Sequence, residues 1–119
     1  MGRYTDVYVL PVTSSKLDAY REVAADMGRI WREHGALDYT EVVAADAKPG
    51  VHTSFPQAVK LEPDETIVVA WIDFASREER DRINVLVMQD QRMTAMFDRP
   101  IPVDGKRMFF GGFDALIQI

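Results

Sequence analysis

One stretch near the middle of the chain limits the possible folds more than any other. From Ile67 to Phe74 it reads IVVAWIDF, and apolar side chains occupy every position except Asp73. Side chains of a β-strand point alternately to two faces, so a strand with one face in water alternates apolar and polar residues. The lack of alternation here predicts a strand whose sheet is covered on both faces.

The rest of the chain supplies three more strands and two helices. Strands are indicated by β-branched and aromatic residues, and helices by apolar residues that recur at steps of three and four. In the first helix Leu17, Tyr20 and Ala24 begin such a stripe, and Ser76 with Glu79 is a capping-box pattern for the second helix. The predicted order is a strand at Tyr4–Val12, a helix from Ser14 or Ser15 to His34, strands at Leu37–Asp46 and Thr66–Phe74, a helix at Ser76–Asp90 and a strand at Lys106–Ile119. This β-α-β-β-α-β order predicts one α+β domain over residues 1–119. Its fold is ferredoxin-like, a four-stranded antiparallel sheet with both helices on one face.

The face of this sheet without helices is also expected to be apolar. The last strand places Phe109, Phe113 and Ile117 on one side and Phe110 and Leu116 on the other. A large exposed apolar patch is rare in monomers, so the simplest cover is a second copy packed sheet against sheet. The sequence therefore predicts a homodimer through the sheet face.

Glycines and prolines mark several special positions. Gly35 is a natural stop for the first helix, and Gly28 inside that helix indicates a close packing contact. Gly111 and Gly112 interrupt the last strand, where bending or packing is favoured over close approach of a ligand. The long connection over residues 47–65 carries three prolines, and long loops are often functional.

Composition excludes several classes of protein. The chain has a net charge of −5 and no cysteine. It therefore has neither the basic surface of a nucleic-acid binder nor the thiolates of a disulfide framework or cysteine-ligated metal site. No apolar run is long enough to span a membrane, and no signal-peptide pattern is present. We expect a cytoplasmic protein without nucleic-acid or membrane partners.

Three residues are candidates for proton transfer, namely His34, Tyr39 and Glu41. His34 ends the first helix, where it is either a general base or a cap beside Gly35 that the helix dipole favours. Glu41 lies among apolar strand residues, a setting that suits an acid or base. Asp6 and Asp73 are acidic residues in similar strands, and for all three carboxylates the alternative is a solvated strand end or a salt bridge to Lys106 or Arg107.

Three further residues are candidates for ligand binding, namely Trp71, Asn84 and Arg107. Arg107 can pair with a carboxylate of a substrate, or it can simply pair with an acidic neighbour. Trp71, together with Trp31 and several methionines, can line a cavity between helices and sheet, or belong to an ordinary core. The only other histidine, His52, has no ligand spacing around it, so no metal or organic cofactor is expected.

Four segments resemble one known family. They are YVLPV, WREHGALDYTEVVAAD, KPGVHTSFPQAVK and DGKRMFFGGF, and together they are similar to the YbaA-like family of small bacterial proteins of unknown function. That family belongs to the dimeric α+β barrel superfamily, so the resemblance implies a homodimer but no reaction. Superfamily members that degrade haem carry an axial histidine on the second helix, and its absence here disfavours haem.

Two functions are compatible with these features. The first is a small-molecule-binding protein that acts as a cofactor-independent enzyme, monooxygenase- or isomerase-like, on a small aromatic or carbonyl compound. The second is a non-catalytic homodimeric structural or stress-response module whose interior is filled by its own side chains. An open, partly polar cavity that His34 or Glu41 reaches would favour the first.

Overall fold

The computed structural model describes residues 3–119 and confirms the predicted element order. The elements are strand β1 (Tyr4–Thr13), a 3-10 turn (Ser14–Lys16), helix α1 (Leu17–Glu33), strand β2 (Asp38–Val43), the short helix α2 (Phe55–Ala58), strand β3 (Glu65–Phe74), helices α3 (Arg77–Gln89) and α4 (Gln91–Phe97), and strand β4 (Phe109–Asp114). The four strands form one antiparallel sheet in the order β2-β3-β1-β4. This is the ferredoxin-like arrangement.

The central strands β1 and β3 pair along their whole length, from Tyr4 opposite Phe74 to Thr13 opposite Glu65. Pro11 is tolerated inside β1 because pairing with β4 has already ended at Val9. The nitrogen of Pro11 faces the same side as the Thr13 amide, which donates to Pro102 in the connection before β4. The missing N–H of proline therefore costs no ladder bond between strands.

Helix α1 follows its predicted stripe, but its start differs from the prediction. Neither Ser14 nor Ser15 caps it, because both lie in the preceding 3-10 turn and no side chain caps the helix at Lys16. The end is as predicted, with Gly35 in the left-handed region at φ 118°. A Cβ on Gly28 would lie 2.6 Å from Cδ1 of Tyr39, so this glycine lets β2 approach the helix closely.

Helices α3 and α4 follow β3 and complete the helical layer. Ser76 caps α3 by accepting a hydrogen bond from the Glu79 amide at 3.1 Å, as its sequence pattern predicted. Asp90 separates the two helices and caps α4 by accepting from the Arg92 amide at 2.9 Å. The main core lies between the sheet and α1, α3 and α4, and includes Phe74 and Ile83, both fully buried.

The last strand is shorter than predicted, ending at Asp114 instead of Ile119. Its two glycines have different roles. A Cβ on Gly112 would overlap the Tyr4 hydroxyl and lie 2.6 Å from Cζ of that ring, so this position must be glycine for Tyr4 to pack. A Cβ on Gly111 would meet nothing closer than 3.7 Å, and this glycine faces the helix-free side.

The helix-free face is apolar and largely uncovered. Its central residues Val7, Val69 and Trp71 are half-buried, whereas Phe113 at its edge is 57% exposed. One end of the face is covered by the connection between β2 and β3, where Val59 and Leu61 pack on Val9 and Ile67. The prediction of an apolar second face is confirmed.

None of the helices between Arg3 and Ile119 is both long and apolar enough to cross a membrane.

Candidate ligand-binding site

A cavity of about 370 Å³ lies between the helix-facing side of the sheet and helices α1, α3 and α4. Four methionines line it, namely Met27, Met88, Met93 and Met108, together with the aromatic rings of Tyr8, Trp31 and Phe97. A pocket of this size and character is typical of sites for small organic molecules. This cavity lies where the first of the two predicted functions requires one.

The polar part of this cavity is a carboxylate held by two phenols. Glu41 on β2 accepts a hydrogen bond from the Tyr20 hydroxyl through Oε1 and from the Tyr39 hydroxyl through Oε2, the latter at 2.5 Å. Tyr39 and Glu41 are two residues apart on one strand, so their side chains point to the same face. Tyr20 reaches them from α1 across the cavity wall.

The environment keeps both tyrosines protonated. Burial raises the pKa of Tyr20 and of Tyr39 far above the ordinary value, and the negative charge of Glu41 raises each of them further. Tyr8 also lines the cavity, and burial raises its pKa to about 12. At neutral pH all three phenols are therefore hydrogen-bond donors, and the carboxylate of Glu41 is the acceptor.

The carboxylate of Glu41 and the two phenols that donate to it also face solvent. A second pocket of about 320 Å³ lies on the surface between α1 and β2, and Tyr20, Tyr39 and Glu41 line it as well as the inner cavity. The three hydrogen-bonded side chains thus separate the apolar cavity from the surface groove. Glu41 therefore lines both the cavity and the surface groove.

Of the predicted catalytic residues, the structure brings Tyr39 and Glu41 together but places His34 elsewhere. His34 lies beyond the end of α1, where its Nε2 is 2.8 Å from Oδ2 of Asp90. Hydrogen bonds from Arg92 and His34 lower the pKa of Asp90 strongly. His34 therefore ties α1 to the α3–α4 junction and does not line the cavity.

The three predicted ligand-binding residues lie outside the cavity. Arg107 forms a two-pronged ion pair with Glu65, both distances being 2.6 Å, and also donates to the Val59 and Lys60 carbonyls. Arg107 thereby links the connection between α4 and β4 and the connection between β2 and β3 to the start of strand β3. Trp71 lies on the helix-free face, opposite Val7 of β1. Asn84 is exposed on α3.

The salt bridges predicted as one alternative for Glu41, Asp6 and Asp73 have the wrong partners. Neither Glu41 nor the other two forms an ion pair with Lys106 or Arg107 within residues 3–119. Asp6, only 5% exposed, pairs with Arg80 at 3.0 Å, and Asp73 accepts from the Thr5 hydroxyl at 2.6 Å. Burial raises the pKa of Asp6, and the Arg80 guanidinium opposes that rise.

Sequence reasoning missed Tyr20 as a site residue. It was assigned only to the apolar stripe of α1, with Leu17 and Ala24. A signal was available, because a tyrosine in a buried stripe needs a hydrogen-bond partner for its hydroxyl. Within the part of the chain that the structure describes, no group of three or more histidine, aspartate or glutamate side chains is placed to hold a metal ion.

Fold and site together define a class, that of ferredoxin-like α+β chains with a mostly apolar cavity between sheet and helices. A family model described as "Protein of unknown function (DUF1428)" matches residues 3–105, and the chain belongs to that family. It is 44% identical over 116 residues to "Uncharacterized protein YbaA" of Escherichia coli strain K12, covering 98% of each chain. The protein of that name from Shigella flexneri matches equally well. The resemblance seen in the sequence is confirmed.

Solved structures show the same fold at low identity. SnoaB, a cofactor-independent oxygenase from Streptomyces nogalater, aligns with TM-score 0.61 at 12% identity, over 100% of this chain and 98% of that chain. A putative antibiotic biosynthesis monooxygenase from Nitrosomonas europaea aligns with TM-score 0.60 at 12% identity, covering 98% and 93%. A NIPSNAP family protein of unknown function from Agrobacterium tumefaciens gives 0.61 at 14%, covering 96% and 88%. Proteins of different functions share this fold, so the fold does not choose among them.

Proposed function

We propose that this protein binds a small, largely apolar organic molecule in the cavity between sheet and helices, and that Glu41 accepts a hydrogen bond or a proton from it. One observation carries the proposal. Glu41 is a carboxylate at the wall of an otherwise apolar cavity, and its neighbours there are two phenols that donate to it. A base positioned in this way is the usual starting point of acid–base chemistry.

The reaction that these residues support best is proton transfer on a small aromatic or carbonyl compound. In an isomerase-like reaction Glu41 takes a proton from a carbon next to a carbonyl and returns it to another atom of the same molecule, so no further reactant is needed. Tyr20 and Tyr39 stabilise the charged carboxylate by donating hydrogen bonds to it, and they donate to it again once it has released the proton. A monooxygenase-like reaction would begin with the same proton transfer and would also need dioxygen.

We also propose that the functional unit is a homodimer that buries the helix-free face of the sheet. That face carries half-buried Trp71 at its centre and exposed Val42, Phe109 and Phe113 at its edges. Such a contiguous apolar patch is rare on monomers. The sheet of a second copy has the same shape and chemistry, and it can cover the patch about a two-fold axis.

The dimer is tested by light scattering coupled to gel filtration. The wild type is expected at twice the chain mass of 13.5 kDa. Trp71→Arg is expected to shift it toward the monomer, because a charge would be buried at the centre of the interface. Asn84→Arg adds the same charge to the exposed surface of α3 and is expected to remain dimeric. A monomeric wild type would contradict the proposal.

The binding site is tested with the two tryptophans of the chain, since Trp31 lines the cavity and Trp71 lies on the opposite face. Trp71→Phe leaves Trp31 as the reporter, and Trp31→Phe leaves Trp71. Titration with phenylbutanol, a neutral aromatic probe, is expected to change the fluorescence of the first variant saturably and to leave the second unchanged. If neither variant responds, we would conclude that methionine side chains fill the cavity and that the protein is a non-catalytic module.

A further inference from the structure

The cavity has a charge preference that narrows the chemistry of its ligand. We infer, on the basis of the proposed binding function, that it takes an organic cation, an ammonium group carried on an aromatic or aliphatic body. Three observations carry this inference. They are the missing ion-pair partner of Glu41, the free lone pairs of its carboxylate and the aromatic lining beside it.

The first observation concerns how the chain treats its other shielded carboxylates. Asp6 is paired with Arg80, Glu65 with Arg107, and Asp90 with Arg92, whereas Asp73, on the opposite face of the sheet from the cavity, accepts from the Thr5 hydroxyl. Glu41 forms no ion pair with any Lys, Arg or His between Arg3 and the end of the chain. A positive partner stabilises a carboxylate that is partly withdrawn from water, and Glu41 leaves that position open to a ligand.

The second observation is geometric. Each carboxylate oxygen of Glu41 accepts one tyrosine hydroxyl. An ionised carboxylate offers about four lone-pair positions, so about two remain for a ligand. An ammonium group supplies up to three N–H donors and the missing positive charge together. The two phenols hold the carboxylate in place, so its position does not depend on the ligand.

The third observation is the set of rings around the same cavity. Trp31, Tyr8 and Phe97 line it, and aromatic faces attract ammonium groups through their π electrons. The chain already uses this interaction once, since the Arg80 guanidinium lies 4.8 Å from the centre of the Tyr4 ring. None of the residues that line the cavity is a lysine, arginine or histidine, so an anion would meet the repulsion of Glu41 without a positive partner. The net charge of −5 also favours the approach of cations.

Three probes of one shape and different charge test the inference by calorimetry at neutral pH, namely phenylbutylamine, phenylbutanol and phenylbutyrate. With the full-length wild type, the amine is expected to bind about tenfold more tightly than the alcohol, and the carboxylate most weakly. Glu41→Gln is expected to abolish the advantage of the amine while leaving the alcohol nearly unchanged. Glu22→Gln removes the same charge from the exposed face of α1 and is expected to keep the wild-type order.

The outcomes separate the two proposals. If the alcohol or the carboxylate binds as well as the amine, the charge inference is overturned and the binding function stands. If none of the three probes binds, the binding function itself fails and takes the inference with it. Should Glu41→Gln fold poorly, Glu41→Asp keeps the charge and is expected to keep the preference for the amine. Loss of that preference in a folded Glu41→Asp variant with unchanged alcohol binding would contradict a role for the charge.

Discussion

Two acidic side chains on the helix-facing side of the sheet, Asp6 and Glu41, have opposite surroundings. Asp6 on the central strand β1 is nearly inaccessible and is held by Arg80, which also donates to the Tyr4 hydroxyl. Glu41 on the edge strand β2 is half-buried and is held only by two phenols. One region is a closed polar cluster, whereas the other is an acceptor at the wall of a cavity.

The difference shows how partner type separates structural from functional carboxylates. An arginine satisfies both the charge and the lone pairs of a carboxylate, and a buried pair of this kind leaves nothing for a ligand. Two phenols satisfy some of the lone pairs and leave the charge uncompensated. We therefore expect the Asp6 cluster to carry stability and the Glu41 cluster to carry binding.

The largest effect on stability is expected from Arg80→Met. This change leaves Asp6 buried without its partner, and removal of one member of a buried pair typically costs about 3–5 kcal/mol. Arg82→Met is the control, because Arg82 is exposed and pairs only with Glu79 on the surface of α3. Its effect is expected to stay below about 1 kcal/mol. Urea denaturation measures both, and similar losses in the two variants would show that the Asp6 pair is not structural.

A smaller but clear effect is expected from the two glycines of β4. Gly112→Ala places a methyl group against the Tyr4 ring of the closed cluster, and overpacking of this kind costs about 1–3 kcal/mol. Gly111→Ala brings a methyl group no closer than 3.7 Å to the Phe113 ring, an ordinary contact, and is expected to change the stability of the chain by less than about 0.5 kcal/mol. Thermal melts of the pair give the comparison directly. Equal melting temperatures would mean that Tyr4 can move aside.

Replacing the open carboxylate is expected to cost little. Glu41→Gln keeps the shape of the side chain, and an amide can still exchange hydrogen bonds with both Tyr20 and Tyr39. The free energy of unfolding is expected to fall by about 1 kcal/mol or less. A loss as large as that of Arg80→Met would place Glu41 among the structural residues and remove the contrast.

The smallest effects are expected in the pH dependence of unfolding, with opposite signs at two arginine-paired carboxylates. Burial raises the pKa of Asp6, so its contribution is full at low pH and is lost as the pH rises. The hydrogen bonds from Arg107 lower the pKa of Glu65, so its contribution is present at higher pH and is lost as the pH falls. The measurement is the free energy of unfolding of the wild type, of Asp6→Asn and of Glu65→Gln between about pH 3.5 and about pH 6.5. The wild-type value minus the variant value gives the Asp6 difference and the Glu65 difference. The Asp6 difference is expected to decrease with pH and the Glu65 difference to increase; equal slopes would contradict these assignments.

The fold was predictable because its signals are local. The unbroken run from Ile67 to Phe74, the stripe of α1 and the cap at Ser76 each depend on neighbouring residues only. The last strand was predicted too long because Leu116 and Ile117 have strand-forming character, yet no neighbouring strand pairs with them and they are exposed. Strand formation needs a partner, which composition does not specify.

The site was only partly predictable because its contacts are long-range. Glu41 and Asp6 look alike in sequence, and what separates them is whether an arginine from a distant helix reaches them. The same is true of His34, whose partner Asp90 lies at the junction of α3 and α4, and of Arg107, whose partner Glu65 begins β3. Residue type suggested chemistry at all four, and packing decided which of them face the cavity.

The most direct test of the contrast between Asp6 and Glu41 is carbon-13 NMR of the side-chain carboxyl groups during titration with phenylbutylamine. We expect the carboxyl resonance of Glu41 to shift saturably, because its free lone pairs and charge meet the ammonium group. The resonance of Asp6 is expected to stay in place, because Arg80 already occupies it. Saturable binding of the amine with an unmoved Glu41 resonance would contradict the account, and a shift at Asp6 instead would reverse the roles assigned to the two carboxylates.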